Sequence, residues 1–180
     1  MSHVGLIAAG LFTMSEAGLQ GGFVQMFNHG INVVGLFLVA DILEKRLKTR
    51  DITTMGGIAS KAPIFALLSF IIVCGAMAVP LTNGFPGELL LLKSVFTYNA
   101  WLGAFAGLTI IFCAVYMLRI FQLVMFGGTK PSTEHFEEVN SIEGVSLGIV
   151  AFFVVILGIF PQSILDMSGS AVKSFLGFVG

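Results

Sequence analysis

Between Ala62 and Leu92 the chain carries a single charged residue, Glu88, and the apolar run continues to Phe96. A straight membrane crossing uses roughly 20 apolar residues at about 1.5 Å of rise each. A run of about 35 residues is far too long for one such helix. The breakers are in the sequence itself: Pro80, then Thr82-Asn83-Gly84-Phe85-Pro86-Gly87. Proline removes a backbone donor and glycine and asparagine favour turns, so helix cannot pass through this stretch unbroken. The spacing predicts two half-helices, about 63–79 and 86–97, with a charged side chain beside the break.

The rest of the chain fits the same solvent. Charged residues make up 11% of it and hydrophobic ones 56%, where soluble domains carry about a quarter charged residues. Gly21 to Val39, Trp101 to Phe126 and Gly144 to Phe160 read as further crossings. Val4 to Met14 is too short to span alone and reads as the tail of a helix, followed by a turn over Ser15 to Gly18. The tail 162–180 is weakly amphipathic and is placed near the surface. The expected architecture is all-α and integral to a membrane: about five transmembrane helices, one of them discontinuous, in a single domain over 1–180. No secretory leader, soluble domain or short-period repeat is evident.

Charge placement sets an expected orientation. Lys45, Arg46, Lys48, Arg50 and Lys61 crowd one loop, and basic residues favour the cytoplasmic or matrix side. Loop 44–62 is therefore placed in the cytoplasm, 127–143 on the same side by counting crossings, and the C-terminus opposite. Nine basic residues against ten acidic ones exclude a nucleic-acid binder of the basic type. Gly-x-Gly-x-x-Gly, Walker and Cys-x-x-Cys signatures are absent, so neither a cofactor nor a metal is assigned to this chain. Cys74 and Cys113 lie in apolar runs and read as small buried hydrophobes.

Polar groups inside the apolar segments are the functional candidates, because they are costly in hydrocarbon and tend to mark ion or proton paths. Glu88 has two readings. A carboxyl in a dry site can gain and lose a proton during transport; a carboxylate in a first helical turn can instead balance the helix dipole. Gln25, Asn28, His29 and Asn32 share one helical face, opposite Val24, Phe27, Ile31 and Val34. They can carry hydrogen-bonded water, with His29 able to titrate near neutral pH, or they can bond neighbouring helices together. His3 alone would mean little. Lys93, five residues past Glu88, points to another face and pairs elsewhere or reaches for the membrane surface, as Arg119 does. A discontinuous helix beside an ionisable group is common in ion transporters.

Several motifs then occur in order: Ser2-His3-Val4-Gly5, Gln25-Met26-Phe27-Asn28-His29-Gly30, Arg50-Asp51-Ile52, Met55-Gly56-Gly57-Ile58-Ala59, and Asn83-Gly84-Phe85-Pro86-Gly87-Glu88. This series resembles the antiporter-like subunits of respiratory complex I, the proton-pumping NADH:quinone oxidoreductase. Gly87-Glu88 at the break favours the M type, where related subunits and sodium/proton antiporters carry lysine. The resemblance implies helices 10 to 14 of a 14-helix subunit, whose N-terminal helices lie outside this chain. It implies that protons pass His3 and His29 to Glu88; Gln25, Asn28, Asn32 and Lys93 are added, from their own polarity and placement, as a supporting polar path. It also implies a translocase whose NADH, FMN, iron–sulfur clusters and quinone belong to other subunits. The implied partners are neighbouring antiporter-like subunits and lipid, most simply in a bacterial inner membrane. The alternative is a component of a multisubunit cation/proton antiporter or a membrane-bound hydrogenase. Two positions depart from the family pattern: Leu89, where an aromatic is usual, and Lys93, where a small or apolar residue is.

Overall fold

The computed structural model describes residues 2–179, with side chains from 3 to 177. Among these the regular elements are helices: α1 (Ser2–Phe12), α2 (Glu16–Leu47), α3 (Ile58–Lys61), α4 (Pro63–Ala76), α5 (Gly84–Tyr98), α6 (Ala100–Met125), α7 (Ser141–Ile159) and α8 (Gln162–Val179). A single 3₁₀ turn, Ile52–Thr54, sits in the loop after α2. Among the described residues α2, α6 and α7 are long and apolar enough to cross a membrane, and α1 and α4 are shorter apolar helices.

The ends of the helices follow from local chemistry. The Ser15 side chain accepts from the Gly18 N–H, and Glu16 lies in the first turn of α2, both favourable at a helix start. The turn expected over 15–18 is therefore tighter, and Gly18 is already helical. With 32 residues, α2 is about 48 Å long at 1.5 Å per residue. It outruns the expected span 21–39 and carries its polar end beyond the roughly 30 Å hydrocarbon layer. It stops at Lys48, in the left-handed conformation with φ 54.

Asn99 caps α6 by accepting from the Trp101 and Leu102 N–H groups. Asn140 and Glu143 form a reciprocal capping box on α7. The tail is a full helix, α8, and the most clearly amphipathic of the helices. It docks on α2, where Gln20 donates to the Leu165 carbonyl at 2.9 Å. Gly180, the last residue of the expected tail, lies outside the described residues.

The break falls where the breakers are. α4 ends at Ala76 and α5 begins at Gly84. Between them Ala78 and Leu81 hold positive φ, 53 and 73, which side-chain-bearing residues rarely adopt. The freed backbone is not left bare: the Thr82 hydroxyl donates to the Val79 carbonyl at 2.6 Å. The Asn83 N–H donates to the Val154 carbonyl of α7 at 2.8 Å. This fits the rule that irregular backbone at membrane depth must be enclosed by protein or line a cavity.

α2 is the spine, touching α1, α4, α5, α7 and α8. α2, α4, α6 and α7 together enclose the main core, with Phe65, Ile72, Leu147 and Val154 fully buried. A smaller core of Leu6, Ile7 and Leu91 joins α1 to α5. Large apolar side chains such as Phe105, Phe112 and Val115 point outward from α6, as a surface facing lipid or other membrane helices does.

Candidate functional site

Glu88 lies at the centre of the bundle, 3% exposed. Because α5 starts at Gly84, Glu88 sits in the second turn, and the first turn carries no acidic residue. The dipole-balancing role considered for it therefore loses its geometry, since that effect fades beyond the first turn. Its Oε1 accepts from His3 Nδ1 of α1 at 2.8 Å and from Gln25 Nε2 of α2 at 3.2 Å. Its Oε2 is buried without a partner. A buried carboxylate oxygen with no donor is costly, so the site is built to be completed by a proton or by water.

Three helices bring these groups together because small residues let them approach. A Cβ at Gly87 would meet Gln25 Oε1 at 2.4 Å, and one at Gly10 would meet Leu91 Cδ2 at 2.2 Å. His29 lies beside His3, ring centroids 5.4 Å apart and tilted by 40°. It is half-buried, whereas Gln25, Asn28 and Asn32 are buried. The expected polar face thus points inward. On the other face Phe27 and Val34 are exposed, but Val24 is 1% exposed and belongs to the interior.

The amides do two different things. Asn28 Nδ2 donates to the Asn83 carbonyl at 2.6 Å and Asn83 Nδ2 donates to the Asn28 carbonyl at 3.3 Å. That reciprocal clasp ties α2 to the break. The side-chain oxygens of Gln25, Asn28, Asn32 and Asn83 remain without donors. Asn32 Oδ1 and Asn83 Oδ1 come within 2.8 and 3.0 Å of the place a Cβ on Gly75 would take. The two oxygens thus converge on one spot beside Gly75, at the end of α4.

A further arm was not legible as function in the sequence. Cys113 Sγ of α6 lies 3.2 Å from His3 Nε2 and 3.2 Å from the Tyr116 hydroxyl, to which it donates. Cys113 is buried, as its apolar surroundings imply, but it is not an inert filler. The offset of three between Cys113 and Tyr116 puts both on one helical face. Nothing in the sequence alone indicates that this face meets His3. His3 is thereby bracketed by a carboxylate on one ring nitrogen and a thiol on the other. An imidazole so placed can take a proton at one nitrogen and release one at the other.

Lys93 stands apart. Its side chain is exposed and makes no ion pair among the described residues. Five residues past Glu88, it faces away from the Glu88 cluster, as its spacing leads one to expect. Among the described residues no three His, Cys, Asp or Glu side chains are arranged to hold a metal ion.

Residues 1–114 match the model of the NADH:quinone oxidoreductase/Mrp antiporter transmembrane family. The chain belongs to this family. Among its relatives is the NADH-quinone oxidoreductase subunit M of Rickettsia conorii, 35% identical over 98% of this chain and 36% of that protein. The chain therefore spans little more than a third of that relative's length. In structure it superposes on a chain of respiratory complex I from Thermus thermophilus with bound NADH. The TM-score is 0.87 at 28% identity, over 99% of this chain and 38% of that one. The Mrp complex from Dietzia sp. DQ12-45-1b matches with a TM-score of 0.84, over 94% of this chain and 40% of that one. At 18% identity that likeness is one of fold. In this antiporter family, then, the chain contributes a broken-helix membrane segment with a buried carboxyl at the break.

Proposed function

We propose that this chain serves as helices 10 to 14 of an M-type antiporter-like subunit of proton-pumping NADH:quinone oxidoreductase. In it a proton passes His3 and His29 to Glu88. The observation that carries this reading is Glu88 itself: one oxygen bonded to His3 at 2.8 Å, the other buried with no partner. A carboxyl that is half satisfied in both protonation states can change between them when a nearby charge moves, because one charge in a low-dielectric site shifts a pKa by units. Such a charge movement would come from a neighbouring antiporter-like subunit. The M-type assignment rests on Gly87-Glu88, where the related subunits resemble one another but carry lysine.

The cluster also supplies a direction. Glu88, His3, Cys113 and Tyr116 form a hydrogen-bonded line from α5 through α1 to α6, while His29 flanks it from α2. Gln25 holds the Glu88 carboxyl toward this line. Redox chemistry is not served by these residues: two cysteines in the whole chain cannot supply the thiolates an iron–sulfur cluster takes. On this reading NADH, FMN, the clusters and quinone are held by other subunits. Five basic residues, Lys45 and Arg46 at the end of α2, Lys48 and Arg50 just after it and Lys61 in α3, support a cytoplasmic placement of that end of the bundle, in a bacterial inner membrane.

The test is Glu88→Gln in the full-length subunit of the assembled complex. Proton pumping per electron should fall while quinone-reductase turnover without a gradient is retained. Unchanged pumping would end the role given to Glu88. If a sodium gradient rather than quinone reduction drives proton movement through the native assembly, the chain belongs with the antiporters instead.

A further inference from the structure

The 26 residues of α6 include one charged side chain, Arg119. It is exposed and makes no hydrogen bond or ion pair among the described residues. It lies seven positions before Phe126, about 10 Å inside the loop end of the helix at 1.5 Å per residue. A cation at that depth is costly in hydrocarbon unless it reaches water or meets an anion. Reaching for water needs no other residue, yet Arg119 has company.

With Gln122, Leu123, Gly127, Gly128 and Lys130 it lines a hollow of about 330 Å³ at the loop end. Offsets of three and four place Gln122 and Leu123 on the Arg119 face of α6. Lys130 comes from the following loop, its ammonium donating to the Thr53 carbonyl and its backbone N–H to Thr133 Oγ1 at 3.1 Å. Gly127, with φ 90, turns the chain off the helix. A Cβ on Gly127 or Gly128 would meet nothing within 4 Å, so that rim is open. Asp51 senses Lys130 from the loop after α2, but no carboxylate lines the hollow among the described residues. The end of α6 carries the negative pole of its dipole, so the positive character here comes from the two side chains.

The same face of α6 continues inward as an apolar stripe. Val115, Phe112 and Leu108, four, seven and eleven positions before Arg119, share its helical face and are exposed. From Arg119 to Leu108 is about 17 Å of helix, close to half of a hydrocarbon layer of roughly 30 Å. A bare stripe alone suits any membrane helix; one leaflet deep and headed by two cations, it suits a lipid. We infer that hollow and stripe bind an anionic phospholipid, with Arg119 and Lys130 on its phosphate and an acyl chain along Val115, Phe112 and Leu108. The guanidinium fork matches two phosphate oxygens, and the ammonium adds a point charge. Gln122 supplies amide donors for the rest of the headgroup. Basic hollows on the cytoplasmic side of membrane helices take acidic headgroups, and this end of the bundle is the one proposed to be cytoplasmic. The site does not depend on the role proposed for Glu88.

The experiment reconstitutes the assembled complex, with the full-length subunit, in phosphatidylcholine vesicles holding a little phosphatidylglycerol with a photoreactive acyl chain. After illumination the labelled peptides are mapped by mass spectrometry. The label should fall on α6 between residues 105 and 119, several-fold more strongly than with phosphatidylcholine carrying the same chain. Arg119→Gln should cut it several-fold, Arg119→Lys should keep most of it, and Lys130→Gln should lower it by less. If Arg119→Gln fails to assemble, the loop variant Lys130→Gln carries the test in the same direction. Equal labelling by the two lipids would overturn phosphate recognition, as would labelling that ignores both substitutions to glutamine. An unlabelled α6 would mean that a protein helix covers the stripe, and would overturn the site.

Discussion

The loop end of α2 and its middle solve the problem of buried polarity in opposite ways. At the loop end polar groups are closely matched. Arg46 bonds the Glu143 carboxylate and the Glu137 carbonyl and lies 5.1 Å above the Phe136 ring. Glu138 accepts from the Ile64 and Phe65 N–H groups at 2.8 and 3.0 Å, capping the start of α4 from a distant loop. Thr133 bonds the Gly56 carbonyl at 2.6 Å. Around the break, by contrast, the buried side-chain oxygens Glu88 Oε2, Gln25 Oε1, Asn28 Oδ1, Asn32 Oδ1 and Asn83 Oδ1 have no partner, and Ser69 Oγ, farther along α4, has none either. Polar groups matched to one another fasten a structure; polar groups left unmatched in a dry place await a mobile donor. The loop end is a clamp; the break, in the function proposed, is a conduit.

Substitutions can break or sharpen that contrast. The largest expected loss of stability comes from inside the conduit, at the one place where it is clamped. Asn28→Ala removes the donor to the Asn83 carbonyl and leaves that carbonyl unmatched, at a cost of about 1–3 kcal/mol. Thermal unfolding of the full subunit in detergent should shift down by several degrees. An unchanged midpoint would move Asn28 from the clamp to the water path.

Glu138→Gln comes next, weakening a charged cap by about 1 kcal/mol. Burial pushes the Glu138 carboxyl up, but backbone N–H groups of Val139, Ile64 and Phe65, helped by Arg46, hold it below the usual carboxylate range. A carboxyl held low in the folded state contributes stability above its unfolded value, near ~4.3. That contribution is lost as pH falls through the lower folded value. The wild-type protein should therefore lose stability across that acidic window more steeply than Glu138→Gln. Parallel pH profiles would show that the cap is not electrostatic.

The smallest effect is expected at Lys45→Ala, which removes the exposed pair with Asp41, 2.6 Å apart, and should leave the unfolding midpoint almost unmoved. A larger loss there would show that the clamp extends to exposed pairs.

Much of this architecture is legible in the sequence because hydrocarbon imposes simple rules. A charge-free run too long for one crossing, with Pro80 and Asn83-Gly84 inside it, leaves a broken helix as the solution, and α4 and α5 lie close to their expected bounds. The inward face of Gln25, Asn28 and Asn32 follows from helical spacing. What escapes is which helices meet. Spacing cannot report that Cys113 faces His3 across two helices, or that a glutamate 74 residues after Ile64 caps α4. Those contacts are set by tertiary packing and leave no local pattern. Lys93 is the opposite case: its offset of five from Glu88 already places it on another face, and the helix does turn it outward. Ser69 carried no signal, since one serine in an apolar helix is ordinary until its hydroxyl proves to be buried without a partner.

The central claim is that the Glu88 carboxyl changes protonation during turnover. It is tested most directly by infrared difference spectroscopy of the assembled complex as it turns over, comparing wild type with Glu88→Gln. The account predicts a carboxylic-acid carbonyl band that appears or disappears with turnover in the wild type and is missing from the variant. The same difference spectrum in both proteins would mean that Glu88 stays in one state throughout, and that the cluster around it is structure rather than conduit.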